Sequence, residues 1–176
     1  DGKWVIVFNG CIYNYKELKE ELEGIGHKFI SDSDTEIIVE GFASYGPDFI
    51  KRFNGMFSIA AWNIFEKKLY LIRDRYGIKP VYYHISNDKT FIYGSEIKSI
   101  LEYRFYQKEI DKDALIEYFT FQNIFTNKTF HKNIQILEAG NFLKIDLNTK
   151  DYKKIKYWDF DFNKSEKFKD QKECAE

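Results

Sequence analysis

In Asn9-Gly10, which closes the apolar run Trp4-Val5-Ile6-Val7-Phe8, a side-chain amide and a glycine backbone N–H stand side by side. Aimed at one point, two such donors stabilise the oxyanion that forms when a carbonyl carbon is attacked. Asn-Gly is equally a tight-turn dipeptide, and the immediate neighbours fit both readings. Asp34 has a similar double reading. At the start of a helical pattern its carboxylate can cap the helix beside Ser33 and Glu36, and from a turn it can also accept hydrogen bonds from a ligand ammonium. Cys11 directly follows the Asn-Gly pair and invites a nucleophilic role. An activated thiol needs a base or a positive neighbourhood, and the adjoining sequence supplies neither. His27, His84 and His131 read as structural residues.

The segment Arg73-Asp74-Arg75-Tyr76-Gly77-Ile78-Lys79-Pro80 crowds four charges, a Gly and a Pro into eight residues between two strand patterns. It reads either as a solvated turn or as a loop locked by bidentate Arg–carboxylate pairs beside a site.

Positioning these groups falls to alternating helices and hairpins. The run Trp4 to Phe8 is continuous enough for a central strand buried on both faces, ended by a turn at Asn9-Gly10. Asn14 with Glu17 predicts a capping box for a helix carrying Leu18, Leu22 and Ile25. His27 to Ile30 is extended, and Ser31 to Asp34 starts a second helix with Ile37, Ile38, Phe42 and Tyr45, ended by Gly46. Met56 to Trp62 pairs with Lys68 to Arg73, and Val81 to Ile85 pairs with Thr90 to Tyr93 around Asn87-Asp88. Helices follow at Ser95 to Tyr103 and from Asp111 to about Tyr118, and Ile134 to Leu137 forms a last hairpin with Phe142 to Leu147. Antiparallel hairpins between helices make this an α+β layered domain over 1–162. From 163 to 176 the composition is that of a polar tail or linker.

The 176 residues carry 27 basic and 28 acidic side chains, a net charge of −1, so neither nucleic acid nor a membrane surface is an expected partner. Aromatic residues make up 19% of the chain without a basic stripe among them, which suits core packing better than base stacking. No apolar run approaches the roughly 18 residues of a membrane span. Cys11 and Cys174 form neither a disulfide framework nor a metal pair, and a cytoplasmic setting is expected. The chain opens at Asp1 without Met, as if cut from something longer.

Several motifs occur in a telling order: Phe8-Asn9-Gly10 with Ile12-Tyr13-Asn14-Tyr15, Ser33-Asp34-Thr35-Glu36, Phe53-Asn54-Gly55-Met56-Phe57, Arg73 to Tyr83, and Ser95-Glu96-Ile97-Lys98. In this series the chain resembles the glutaminase domain of glutamine-hydrolysing asparagine synthetases, from about Trp4 to Tyr157. The resemblance implies an N-terminal-nucleophile hydrolase fold, a four-layer αββα sandwich incomplete at its N-terminus. It implies a reaction in which an N-terminal Cys attacks the glutamine side-chain amide with its own α-amino group as base. An α-amino pKa of about 8 suits that duty near neutral pH. By the same resemblance Asn9 and Gly10 form the oxyanion hole, and Asp34 holds the glutamine α-ammonium.

Two departures shape the expectation. The family's N-terminal Cys, and the Arg that grips the glutamine carboxylate, fall upstream of Asp1, so the chain as given is expected to be inactive. Cys11 stands where the family has Glu, and losing that carboxylate should weaken binding of the ligand ammonium. No metal and no cofactor are expected in this domain. ATP and magnesium belong to a C-terminal synthetase domain, which would amidate aspartate or a related carboxylate and is the expected partner, with a homodimer as the expected assembly. The alternative is a degenerate amidotransferase domain serving as a binding or dimerisation module.

Overall fold

The computed structural model describes residues 2–161. Strand β1 (Trp4–Ile12) pairs antiparallel with β2 (Gly55–Asn63), which pairs with β3 (Lys68–Arg73). Between β1 and β2 run helices α1 (Tyr15–Gly24) and α2 (Asp34–Tyr45) and a 3-10 turn at Gly46–Arg52. The chain then builds β4 (Tyr82–Ile85) and β5 (Phe91–Gly94), helices α3 (Ile97–Leu101) and α4 (Lys112–Phe121), and strands β6 (Ile134–Ile136), β7 (Asn141–Asp146) and β8 (Asp151–Lys156). They form a five-stranded sheet ordered β1-β2-β3-β7-β8 and a three-stranded sheet ordered β5-β4-β6.

Alternation along the strands sorts side chains into layers. On one face of the large sheet Trp4, Ile59, Ala61, Tyr70, Ile72 and Phe142 pack against Leu18 and Leu22 of α1 and Ile37, Ile38 and Phe42 of α2. On its other face Ala60, Leu71, Leu143 and Ile145 meet Val81, Tyr83 and Leu137 of the small sheet and its flanks. Beyond the small sheet Ile134 packs with Ile100 of α3 and with Tyr106. The order helix, sheet, sheet, helix is the α+β sandwich expected from the motif series. Among the described residues no helix is long and apolar enough to cross a membrane.

Several local expectations are corrected. Trp4 to Phe8 is not a central strand buried on both faces, because β1 lies at the sheet edge with Trp4 buried and Val5 and Val7 exposed. An apolar run reads alike whether or not something covers its second face. Asn9-Gly10 does not end the strand, which continues to Ile12, so the tight-turn reading falls. Asn14 makes no side-chain cap for α1; its amide accepts from Asn54 N at 2.8 Å and donates to Arg52 O at 3.0 Å. His27 to Ile30 joins no strand.

The last expected hairpin is also absent. The β6 strand pairs with β4 while β7 pairs with β3 and β8, so 137–140 carries the chain from one sheet to the other. Gly140 makes the crossing at a left-handed φ of 66°, its N–H donating to Asp74 O at 2.9 Å. The polar tail expected over 163–176, with Cys174, lies outside the described residues.

Candidate active site

The second half of β1 is held against β2 in a register that pairs Asn9 with Ser58, Gly10 with Phe57 and Cys11 with Met56. The strands approach so closely at Gly10 that a Cβ there would lie 2.1 Å from Met56 O and 2.7 Å from Phe57 Cα. With φ at 155°, a conformation L side chains rarely adopt, only glycine fits. The neighbouring motif has the same logic. Phe53 and Phe57 are core residues, and a Cβ at Gly55 would lie 2.2 Å from Cys11 O.

Backbone direction follows from the same ladder. Lys3 O accepts from Ile64 N and Tyr13 N donates to Asn54 O, so odd-numbered residues of β1 turn their peptide groups toward the strand side occupied by β2. Alternation then turns those of even-numbered residues to the opposite edge. Ile12 shows this directly, since its N–H donates to Asp34 Oδ2 at 3.0 Å. Gly10, two residues earlier, aims its N–H off the same edge.

Asn9 lies on the face of β1 turned away from α1 and α2, since Trp4, Ile6, Phe8 and Ile12 pack toward the helices. Its side chain is exposed, and Nδ2 donates to Ser95 Oγ at 3.3 Å. Ser95 follows β5, so this contact joins edge strands of the two sheets.

Asp34 is the first residue of α2, but the capping is done by Ser33, whose Oγ accepts from Thr35 N at 3.2 Å. The Asp34 carboxylate instead reaches β1 through Oδ2, and among the described residues Oδ1 accepts no hydrogen bond. Glu36 orders the approach to α2 by accepting from Ile30 N, Ser31 N and Ser31 Oγ. The Ser31 hydroxyl and then the Ile30 N–H hold its carboxyl below the usual range, against a smaller opposing effect of burial.

Cys11 is half-buried in mid-strand and free of disulfide bonding. Its nitrogen lies within a peptide bond, so it cannot act as a nucleophile with its own α-amino base. His27 is engaged by Glu40 and Ser44 at 2.6 and 2.5 Å, and His84 Nδ1 contacts Asn133 O at 2.9 Å.

The 73–80 loop is locked, though not by Arg–carboxylate pairs. Arg73 donates to Lys79 O, Leu137 O and Gly77 O, and burial lowers its pKa. Asp74 is fully buried and accepts from Phe57, Tyr76, Ile78 and Lys79 N–H groups. Tyr157 adds a bond from its hydroxyl to Arg73 O at 2.8 Å.

The structure thus brings Asn9, Gly10, Cys11 and Asp34 to one end of β1 and adds Ser95, whose part only its place in a motif could have signalled. A separate cavity of about 610 Å³, lined in part by Tyr83, His84, Tyr106 and Tyr152, includes none of these residues. Among the described residues no group of three or more His, Cys, Asp and Glu side chains could hold a metal ion.

Comparison with known proteins gives a consistent picture. A family described as a glutamine amidotransferase domain matches residues 1–158. Asparagine synthetase [glutamine-hydrolyzing] 2 of Bacillus subtilis is 40% identical over 163 residues, a match covering 90% of this chain and 21% of the relative. The putative asparagine synthetase [glutamine-hydrolyzing] 2 of Methanocaldococcus jannaschii is 40% identical over 160 residues, covering 88% of this chain and 30% of the relative. The chain therefore spans less than a third of the length of these relatives. Among solved structures, the glutamine phosphoribosylpyrophosphate amidotransferase of B. subtilis superposes with a TM-score of 0.57 at 19% identity, covering 90% of this chain and 30% of that one. A structure described as the allosteric regulatory enzyme of purine biosynthesis gives a TM-score of 0.60 at 18% identity, covering 88% and 28%. At these identities the two superpositions speak to the fold.

Proposed function

Since the chain belongs to the glutamine amidotransferase domain family, we propose that the end of β1 binds glutamine and stabilises the transition state of its hydrolysis to glutamate and ammonia. The observation that carries this reading is the pairing of an exposed Asn9 amide with a Gly10 N–H turned off the sheet edge, beside a carboxylate tied to the same strand. Asp34, whose Oδ1 accepts no hydrogen bond among the described residues, receives the glutamine α-ammonium. Asn9 Nδ2 and Gly10 N receive the side-chain carbonyl oxygen as it gains negative charge.

The nucleophile in this proposal is an N-terminal cysteine of the parent polypeptide. Its sulfur bonds to the amide carbon as its thiol proton passes to the α-amino group, and that proton accompanies the departing amine as ammonia. Water then cleaves the thioester, giving glutamate and regenerating the thiol. The described residues hold the bound group and its charge during both attacks. The ammonia feeds an ATP- and magnesium-dependent amidation of aspartate or a related carboxylate in a further domain, and the parent protein assembles as a homodimer.

Glutamate release from L-glutamine by the full-length protein, its N-terminal residue established by mass spectrometry, tests this proposal. Asn9→Ala is expected to lower turnover about 100- to 1000-fold. A protein with a free N-terminal cysteine that binds glutamine and releases no glutamate would overturn it. Cys11, in place of the family's Glu, favours a second reading, a degenerate domain kept for binding or assembly. Unchanged background hydrolysis in Asn9→Ala would support that reading.

A further inference from the structure

The Ser95-Glu96-Ile97-Lys98 motif has no part in the chemistry proposed above, yet among the described residues its first residue is the sole side-chain hydrogen-bond partner of the Asn9 amide. We propose that Ser95 is a positioning residue, fixing the plane of the Asn9 amide so that its second N–H faces the developing oxyanion. The inference rests on the glutaminase reading of the site and adds a residue to it.

The physical need is specific. An Asn amide turns about a broad terminal torsion, so packing alone holds it loosely on an exposed strand face. Its NH2 group has two hydrogens. Giving one to Ser95 Oγ at 3.3 Å orients the other without consuming it. An oxyanion donor gains most when its orientation is set before charge develops.

Ser95 is itself held by a tight turn. Ser99 Oγ donates to Glu96 O at 2.6 Å and Ser99 N to the same oxygen at 3.2 Å. A Cβ at Gly94 would lie 2.2 Å from Ser99 Oγ, so the turn closes directly behind Ser95. Because Ser95 extends from the small sheet and Asn9 from the large one, the bond also makes the site sensitive to how the two sheets meet.

A double-substitution cycle in the full-length protein tests the proposal. Ser95→Ala is expected to lower kcat about 3- to 10-fold, the scale of one hydrogen bond, with KM for glutamine unchanged. Ser95→Thr, which keeps the hydroxyl, should restore most of the rate. In an Asn9→Ala background Ser95→Ala should cost nothing further, because a residue acting through Asn9 has nothing left to act on. Equal losses in both backgrounds, a KM effect without a kcat effect, or no loss at all would overturn it.

If the parent protein releases no glutamate, the glutaminase reading fails on its own. The contact is then read from the Asn9 side-chain amide signal in asparagine-labelled protein, identified by its disappearance in Asn9→Ala. A shift in Ser95→Ala that Ser95→Thr largely reverses supports the positioning contact, and an unmoved signal overturns it.

Discussion

Asp74 and Asp34 are both acidic residues of short motifs, and each accepts an N–H from a strand of the large sheet. Their surroundings differ. Asp74 is fully buried, and four backbone N–H groups share its two oxygens. Asp34 is partly exposed and, among the described residues, its carboxylate accepts from Ile12 alone through one oxygen. A carboxylate whose lone pairs are all engaged by its own fold is a structural clamp, whereas one with an oxygen to spare can meet a ligand. Residue type and motif membership do not separate the two roles; the count of satisfied acceptors does.

Removing each carboxylate should therefore break different properties. Asp74→Ala orphans four N–H groups, in a place where each unmet donor costs about 1–3 kcal/mol. The expected result is a loss of about 4 kcal/mol or more, read as a collapsed urea midpoint or an unfolded product. Asp34→Asn should leave the midpoint within about 1 kcal/mol and raise KM for glutamine about 10- to 100-fold, the scale of a lost charge-assisted hydrogen bond. An Asp34→Asn protein as unstable as Asp74→Ala would erase the distinction.

Cys11→Glu sharpens it from the other side. Placing a carboxylate beside Gly10 should lower KM for glutamine about 3- to 10-fold with little change in stability, as steady-state assays of both proteins would show. Glu36 gives the smallest effect. Its three hydrogen bonds from Ile30 and Ser31 resemble the Asp74 clamp, but in an exposed setting. Because its folded pKa lies below the usual Glu value, its contribution is present at neutral pH. That contribution is lost as pH falls through the depressed folded value. Glu36→Gln should remove that part of the acid dependence in thermal melts, a change under about 1 kcal/mol at such exposure.

Local order was legible where local physics decides it. Ile37, Ile38 and Phe42 stand at helical spacing behind Ser33, and α2 begins and ends within a residue of where those signals put it. Asn87-Asp88 similarly marks the hairpin of β4 and β5. Partner choice over distance was not legible. Nothing local separates an edge strand from a central one at Trp4 to Phe8, or tells Ile134 to Ile136 that its partner is β4 and not β7. Strand β8 escaped notice because Asp151 to Lys156 is mostly charged and gains its place by backbone pairing with β7. For the site, Asn9, Gly10 and Asp34 were legible as candidates, while the free edge of β1 and the reach of Ser95 to Asn9 exist only once two sheets are assembled.

The most direct test is where the product sits. In a crystal of the full-length protein with L-glutamate, the α-ammonium is expected about 3 Å from the Asp34 carboxylate, and one side-chain oxygen about 3 Å from both Asn9 Nδ2 and Gly10 N. Glutamate bound in the cavity beside Tyr83 and Tyr106, with none against Asn9 and Gly10, would contradict the assignment of the end of β1 as the glutamine site.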